Sequence, residues 1–484
     1  MRTLGASVPG TNGSGRAPGG RQAPLGPVRS RGAGVREDLF VVIARRLVYV
    51  GMVFLPLLKF RFGHAFDSSD GIFLIAAGFL ILSRRPPKKA PPVPGWYFGS
   101  FVFILAGVVA SSQAVSKGSS LEVVLNAIFV FFVLQWMLRQ LLDTTVRIRL
   151  AMGAFIVGTT ASAFVAFLQT EFHVLGYGQV ANLEGARAIG LSDQPNVAAV
   201  AFALATVFAI GLVLELGLRR HWYLGLCIAV LGSALIFSAS VSGQTSTLVG
   251  CIVLFIARGI RLRTVLTLIA ALAVVYVIAI TVQSNGTHFD LDPLARIEQT
   301  TTANSDYNTV SSREDTIRDS WSGIVESPII GHGLDQTTIA VYYDPYLGVY
   351  YPAHNIVIIY WFAGGIFMVA AVALMMASAF RRVLVRRDAP RGTVLAGCVT
   401  VLFFSLQSPE LVDRWLWLPF MLALCFRVPA RRRPGVPDLV PAPPSTDTET
   451  SPSARPARFV RGTVGRHARP VTDGSGPTGK PSSS

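Results

Sequence analysis

Twelve stretches of nearly unbroken apolar residues, joined by short polar connections, limit this chain to one kind of solution, a bundle of helices in lipid. Crossing a hydrocarbon core of about 30 Å as helix takes roughly 17 to 25 apolar residues. Within that core every backbone N–H and C=O must find a partner inside the protein, which a helix provides by itself. The stretches centre on residues 40–60, 70–83, 95–112, 121–138, 150–170, 196–216, 222–239, 244–258, 264–282, 354–379, 392–407 and 411–428. The second and eleventh are short, and the first contains Arg45 and Arg46. With 51% hydrophobic and 14% charged residues and a mean hydropathy of +0.50, a chain of 484 residues is too apolar to be soluble. The expected fold is all-α: a polytopic transmembrane bundle of about 12 spans, with a long outer loop between spans 9 and 10.

Charge placement gives a second, independent reading, because Lys and Arg accumulate in short cytoplasmic connections. The even-numbered connections hold seventeen of them, from Arg84 and Arg85 through Arg258 to Arg391, whereas the longer odd-numbered ones hold six: Arg61, Lys117, Arg187, Arg296, Arg313 and Arg318. This alternation predicts a multi-pass protein of the plasma (inner) membrane with both termini cytoplasmic and segment 283–353 outside. Residues 1–37 and 430–484, rich in Gly, Pro, Ser and Arg without apolar periodicity, read as disordered basic cytoplasmic tails flanking a transmembrane domain at 38–429. The N-terminal tail lacks the apolar region of a secretory signal, so the first span is expected to act as the insertion signal. A basic tail is drawn to the anionic inner leaflet. Without interleaved aromatics it makes a poor nucleic-acid surface, and no nucleic-acid partner is expected.

The polar residues outside the membrane carry the candidate chemistry. Ser311 with Glu314 three residues on has the spacing of a capping box, and Ile317, Trp321, Ile324 and Val325 follow at helical spacing, which predicts an amphipathic helix over 312–326. Arg313 then falls in its first turn, where the helix dipole already favours an anion. No acid lies three or four residues from it, which leaves it for a ligand. Arg318 has Glu314 one turn before it, the spacing of a solvated ion pair. His354, after Pro352-Ala353, begins the tenth span, where the dipole disfavours the imidazolium and keeps the ring able to accept a proton. It reads equally as an interfacial cap. His332 lies between Gly331 and Gly333, which either admit a ligand close to the backbone or merely shape the loop. Arg187, before the sixth span, is either a second phosphate contact or an interfacial anchor.

Other chemistries find little support. Asp290-Leu-Asp292 resembles a paired-aspartate metal motif, but so short a match is common by chance, and neither metal nor cofactor is expected. There is no P-loop, GxSxG, HExxH or GxGxxG leading into a helix. Cys227, Cys251, Cys398 and Cys425 all fall inside spans, against a disulfide framework.

The order of these pieces resembles the O-antigen ligase and O-antigen polymerase superfamily of integral membrane glycosyltransferases. The matching pattern is Arg313, Pro328, Gly331-His-Gly333, His354-Asn355 and Gly364-Gly365, extended by Arg187 with Gln194-Pro-Asn196, by Pro56 and Ser69-Asp70, and by Trp415-Leu-Trp417. The core of the motif covers about 236–370. Where family members often carry Ser-Arg, this chain has Ser242-Gly-Gln244, so that Gln244 can replace only the hydrogen bonding of that arginine. The resemblance implies transfer of a glycan from an undecaprenyl-diphosphate-linked donor to a hydroxyl of an acceptor lipid, glycan or protein, at the outer face of the lipid bilayer and without nucleotide or metal. It implies His354 as base, Arg313 and Arg187 as diphosphate contacts, and His332, Asn355, Arg318 and Gln244 as accessory candidates. Ligase and polymerase share this motif set. The competing reading is a polytopic transporter or a lipid-linked glycan flippase, which should carry ionisable residues at mid-membrane depth.

Overall fold

A computed structural model of the chain describes residues 38–58, 61–62, 66–83, 92–172, 188–192, 194–261, 263, 309–344, 349–384, 389–407 and 414–426. Both tails lie outside the described residues, as do the ninth apolar stretch at 264–282 and the loop residues around it.

Eleven of the twelve apolar stretches coincide with helices. They are α1 (Leu39–Phe54), α2 (Ser68–Leu82), α3 (Pro94–Ser111), the run α4 (Lys117–Ile128) and α5 (Gln135–Leu141), α6 (Thr145–Phe172), α7 (Pro195–Leu216), α8 (Trp222–Phe237) and α9 (Val241–Ala257). After the polar helix α10 (Thr309–Glu326) and the short α11 (Gln336–Ile339) come α12 (Ile356–Leu384), α13 (Ala389–Ser405) and α14 (Arg414–Cys425). Five of these runs are long and apolar enough to cross a membrane: α3, α4 to α5, α6, α7 and α12. The shorter apolar helices α2, α8, α9, α13 and α14 have 12 to 17 residues. The fold is all-α, and the described connections add only two short antiparallel ladders, β1 (Arg61–Phe62) with β2 (Phe66–Asp67) and β3 (Tyr342–Asp344) with β4 (Val349–Tyr351). Both lie in connections, where aromatic and β-branched residues such as Tyr342, Tyr343, Val349 and Tyr350 favour extended backbone.

Local sequence explains how the helices begin. Asp38 caps α1 by accepting from the N–H of Phe40 at 3.0 Å, Ser116 caps α4, and Pro94 and Pro195 stand in the first turns of α3 and α7, where a missing N–H costs nothing. Between α4 and α5 the helix widens into a π segment over Phe129–Leu134, and the indole N–H of Trp96 donates to the carbonyl of Phe131 there at 3.0 Å. Helix α7 is apolar on nearly every side and is correspondingly the most enclosed of the five long runs: 83% of its span is buried, against 39% for α3. It packs against α6, α8, α9 and α13, while α12 lies along α3.

Contacts between helix ends sort them into two faces. On one, the start of α12 meets the end of α13 through Asn355 and Leu406, the start of α9 meets that of α7 through Ser240 and Asn196, and the chain after α3 meets segment 334–338. On the other, Arg149 at the start of α6 pairs with Glu215 near the end of α7, Arg258 donates to Gly211 and Thr393, and Arg382 donates to the carbonyl of Phe426. The second face is the one that the distribution of basic residues predicts to be cytoplasmic.

Candidate functional site

The first face carries α10, the turn after it and the start of α12. Helix α10 begins at Thr309, three residues before the expected start. Arg313 therefore belongs to the second turn rather than the first, and its side chain lies outside the described residues. Arg318 pairs with Asp315 at 3.6 Å, not with Glu314. Spacings of three and four are both neighbours on a helix surface. With the Arg318 side chain 78% exposed, this pair is worth little.

Residues 327–333 then fold onto α12 at a place where that helix is broken. Gly365 has φ 69° and ψ −175°, a conformation only glycine adopts readily. The break diverts the N–H of Ile366 from the carbonyl of Phe362 to that of Pro328, at 3.0 Å. The released carbonyls of Phe362 and Ala363 accept instead from the N–H groups of His332 and Gly333, both at 2.9 Å. The indole of Trp361 also donates to Pro328, at 3.0 Å. Such an exchange is required, since a buried unpaired amide in or near lipid costs several kcal/mol. The contact is close. A Cβ on Gly365 would stand 1.9 Å from the carbonyl oxygen of Ile329, and one on Gly331 would stand 2.6 Å from the backbone of Ala363.

His332 is held on both sides. Its Nε2 lies 2.8 Å from the carbonyl oxygen of Gly323 in α10, and because a carbonyl only accepts, this nitrogen carries the proton. Its ring stacks on Phe362 of α12, with centroids 4.7 Å apart. The tenth span begins not at His354, as expected, but at Ile356, and Asn355 is its cap. The Asn355 Oδ1 accepts from Val357 at 2.9 Å and from Ile358 at 3.3 Å, while its Nδ2 donates to Leu406 at 3.3 Å. The amide wins because its short side chain bonds back to the first helical N–H groups. His354 stands one residue outside, half-buried.

Gln244, on α9, is half-buried, and its Nε2 is shielded from solvent with no hydrogen-bond partner. Arg187, Asp290 and Asp292 lie outside the described residues. Among the described residues no three His, Cys, Asp or Glu side chains come together as metal ligands.

Sequence reasoning missed one constellation on this face. Arg414, at the start of α14, donates to Asp67 at 2.6 Å and pairs with Asp70, and all three side chains are at most 6% exposed. The 2.9 Å bond from the N–H of Asp67 to Asp70 ties the two acids together. Removing one partner of a buried ion pair strands the others and typically costs about 3–5 kcal/mol. The available signal was an arginine and two aspartates opening apolar helices of the same polarity.

Residues 226–373 match a family model described as O-Antigen ligase. No curated protein matches the chain. The matched stretch runs from α8 into α12 and contains Gln244, Arg313, Arg318, His332, His354 and Asn355, together with the broken span and the turn that completes it. Through this segment the chain is similar to the O-antigen ligase family.

Proposed function

We propose that this protein transfers a glycan from an undecaprenyl-diphosphate-linked donor to an acceptor hydroxyl on the outer face of the membrane, as a ligase or polymerase of cell-surface polysaccharide and without metal or nucleotide. The observation that carries this reading is the division of labour at the start of α12: Asn355 closes the helix, so the imidazole of His354 beside it is not the cap. That residue lies within the family match and on the bundle face that also carries α10 with Arg313. The acceptor oxygen attacks the anomeric carbon of the donor while the bond from that carbon to the diphosphate oxygen breaks. The hydroxyl proton passes to His354, and the bonding pair leaves on the diphosphate. Arg313 and Arg187 neutralise that leaving group as guanidinium forks, and the unpartnered amide of Gln244 offers a further donor.

The transporter or flippase reading fares less well. The described ion pairs Arg414 with Asp67 and Asp70, and Arg149 with Glu215, sit at helix ends rather than at mid-depth. The carbonyls released in α12 are taken by the turn 327–333 instead of being left open for an ion.

The test is transfer by the purified full chain in liposomes with an undecaprenyl-diphosphate-linked glycan, in EDTA and without nucleotide. Transfer should proceed, and Arg313→Lys should lower it by about 10- to 100-fold, the worth of a charge-assisted bond lost when a fork becomes a point charge. A strict need for Mg²⁺ or Mn²⁺ would overturn the mechanism and direct attention to Asp290 and Asp292.

A further inference from the structure

We infer that His332 is a positioning residue, a clamp that fixes α10 against α12 and thereby sets Arg313 relative to His354. The inference rests on the transferase reading. Four observations converge on it. The ring reaches α10 through its Nε2 bond to Gly323 at 2.8 Å. It reaches α12 by stacking on Phe362 at 4.7 Å. Its own backbone N–H occupies the Phe362 carbonyl that the break sets free, at 2.9 Å, so the ring is anchored to the helix it stacks on. At the meeting point α10 has Gly323, where a Cβ would stand 2.4 Å from the Phe362 ring and 3.4 Å from His332 Nε2, so the helix backbone itself comes up against both rings.

This arrangement uses the imidazole in a way that competes with proton transfer. The Nε2 proton is committed to a carbonyl and one ring face is covered by Phe362. Arg313 and Gly323 are ten residues apart on the same helix, about 15 Å along its axis. A rigid rod of that length turns a small swing at Gly323 into a larger displacement at the arginine, and misplacement by about 1 Å can cost about 100-fold in rate.

The experiment compares His332→Gln, His332→Phe and His332→Ala in the detergent-solubilised full chain, reading amide hydrogen exchange in α10 alongside transfer kinetics and the pH profile. Glutamine can present an amide N–H to Gly323, phenylalanine keeps only the stack, and alanine keeps neither. Exchange in α10 should rise in His332→Ala by roughly three- to tenfold, the change that an ordinary hydrogen bond corresponds to. It should be smaller in His332→Phe and return close to wild type in His332→Gln, with kcat following the same order and the pH profile unmoved throughout. Unchanged exchange in His332→Ala overturns the clamp. A glutamine variant as inactive as alanine, with α10 protected as in wild type, overturns it too and makes the ring a chemical participant. If wild type transfers no glycan, the transferase reading fails by itself and the exchange series still decides the clamp.

Discussion

Two of the three histidines in the matched segment, His332 and His354, stand at opposite ends of one piece of helix and are treated differently by the chain. His332 enters at the break of α12, where its backbone N–H, its Nε2 and its ring face all have partners. His354 precedes the helix start, where Asn355 has taken over the cap. A sequence pattern that contains both therefore mixes two kinds of residue. Pro328, Gly331, His332 and Gly365 build and brace a broken span, and Asn355 closes its first end beside the ring proposed to act as base.

Variants can break or sharpen this contrast. The largest effect is expected at the start of α12: His354→Gln should lower transfer by about 10² to 10⁴, the usual contribution of a positioned base, with thermal stability unchanged. Acid pH, which protonates an imidazole, should inhibit wild type and leave the residual activity of this variant flat. Near-normal turnover with an unchanged pH profile would remove His354 from the mechanism. At the break the loss should be of stability: Gly365→Ala forces a side chain into a left-handed conformation and against Ile329, costing about 3 kcal/mol. Thermal unfolding in detergent would show it, and a variant as stable as wild type would mean the break is not needed. Asn355→Ala should cost about 1 kcal/mol as a lost cap and reduce transfer modestly by loosening the residue next to His354. Arg318→Ala should change stability by no more than about 0.5 kcal/mol, as for an exposed pair. A loss of transfer there equal to that of Arg313→Lys would show that the two arginines share one role.

Legibility in the sequence followed the range of the forces involved. Helix α7 could be read directly, because uniform apolarity over Pro195–Leu216 has one outcome in lipid. The boundaries at Thr309 and Ile356 moved by two or three residues, since caps are decided by single hydrogen bonds. Arg318 chose Asp315 over Glu314 for the same reason, the two acids being nearly equivalent by spacing. Gly364-Gly365 was recognisable as a pattern, but nothing local tells whether such a pair bends a helix, closes a contact or opens a gap.

By itself, then, the amino-acid sequence determined that this protein is a helical membrane bundle, because burial of apolar surface and the satisfaction of backbone groups depend on composition and period alone. Only the tertiary structure decided that the glycine pair breaks α12, that residues 327–333 complete its hydrogen bonds, that His332 is braced while Asn355 caps, and that Arg414 joins Asp67 and Asp70. Apart from the cap, each of these joins residues from about 9 to nearly 350 positions apart through bonds whose geometry exists only once the helices have packed.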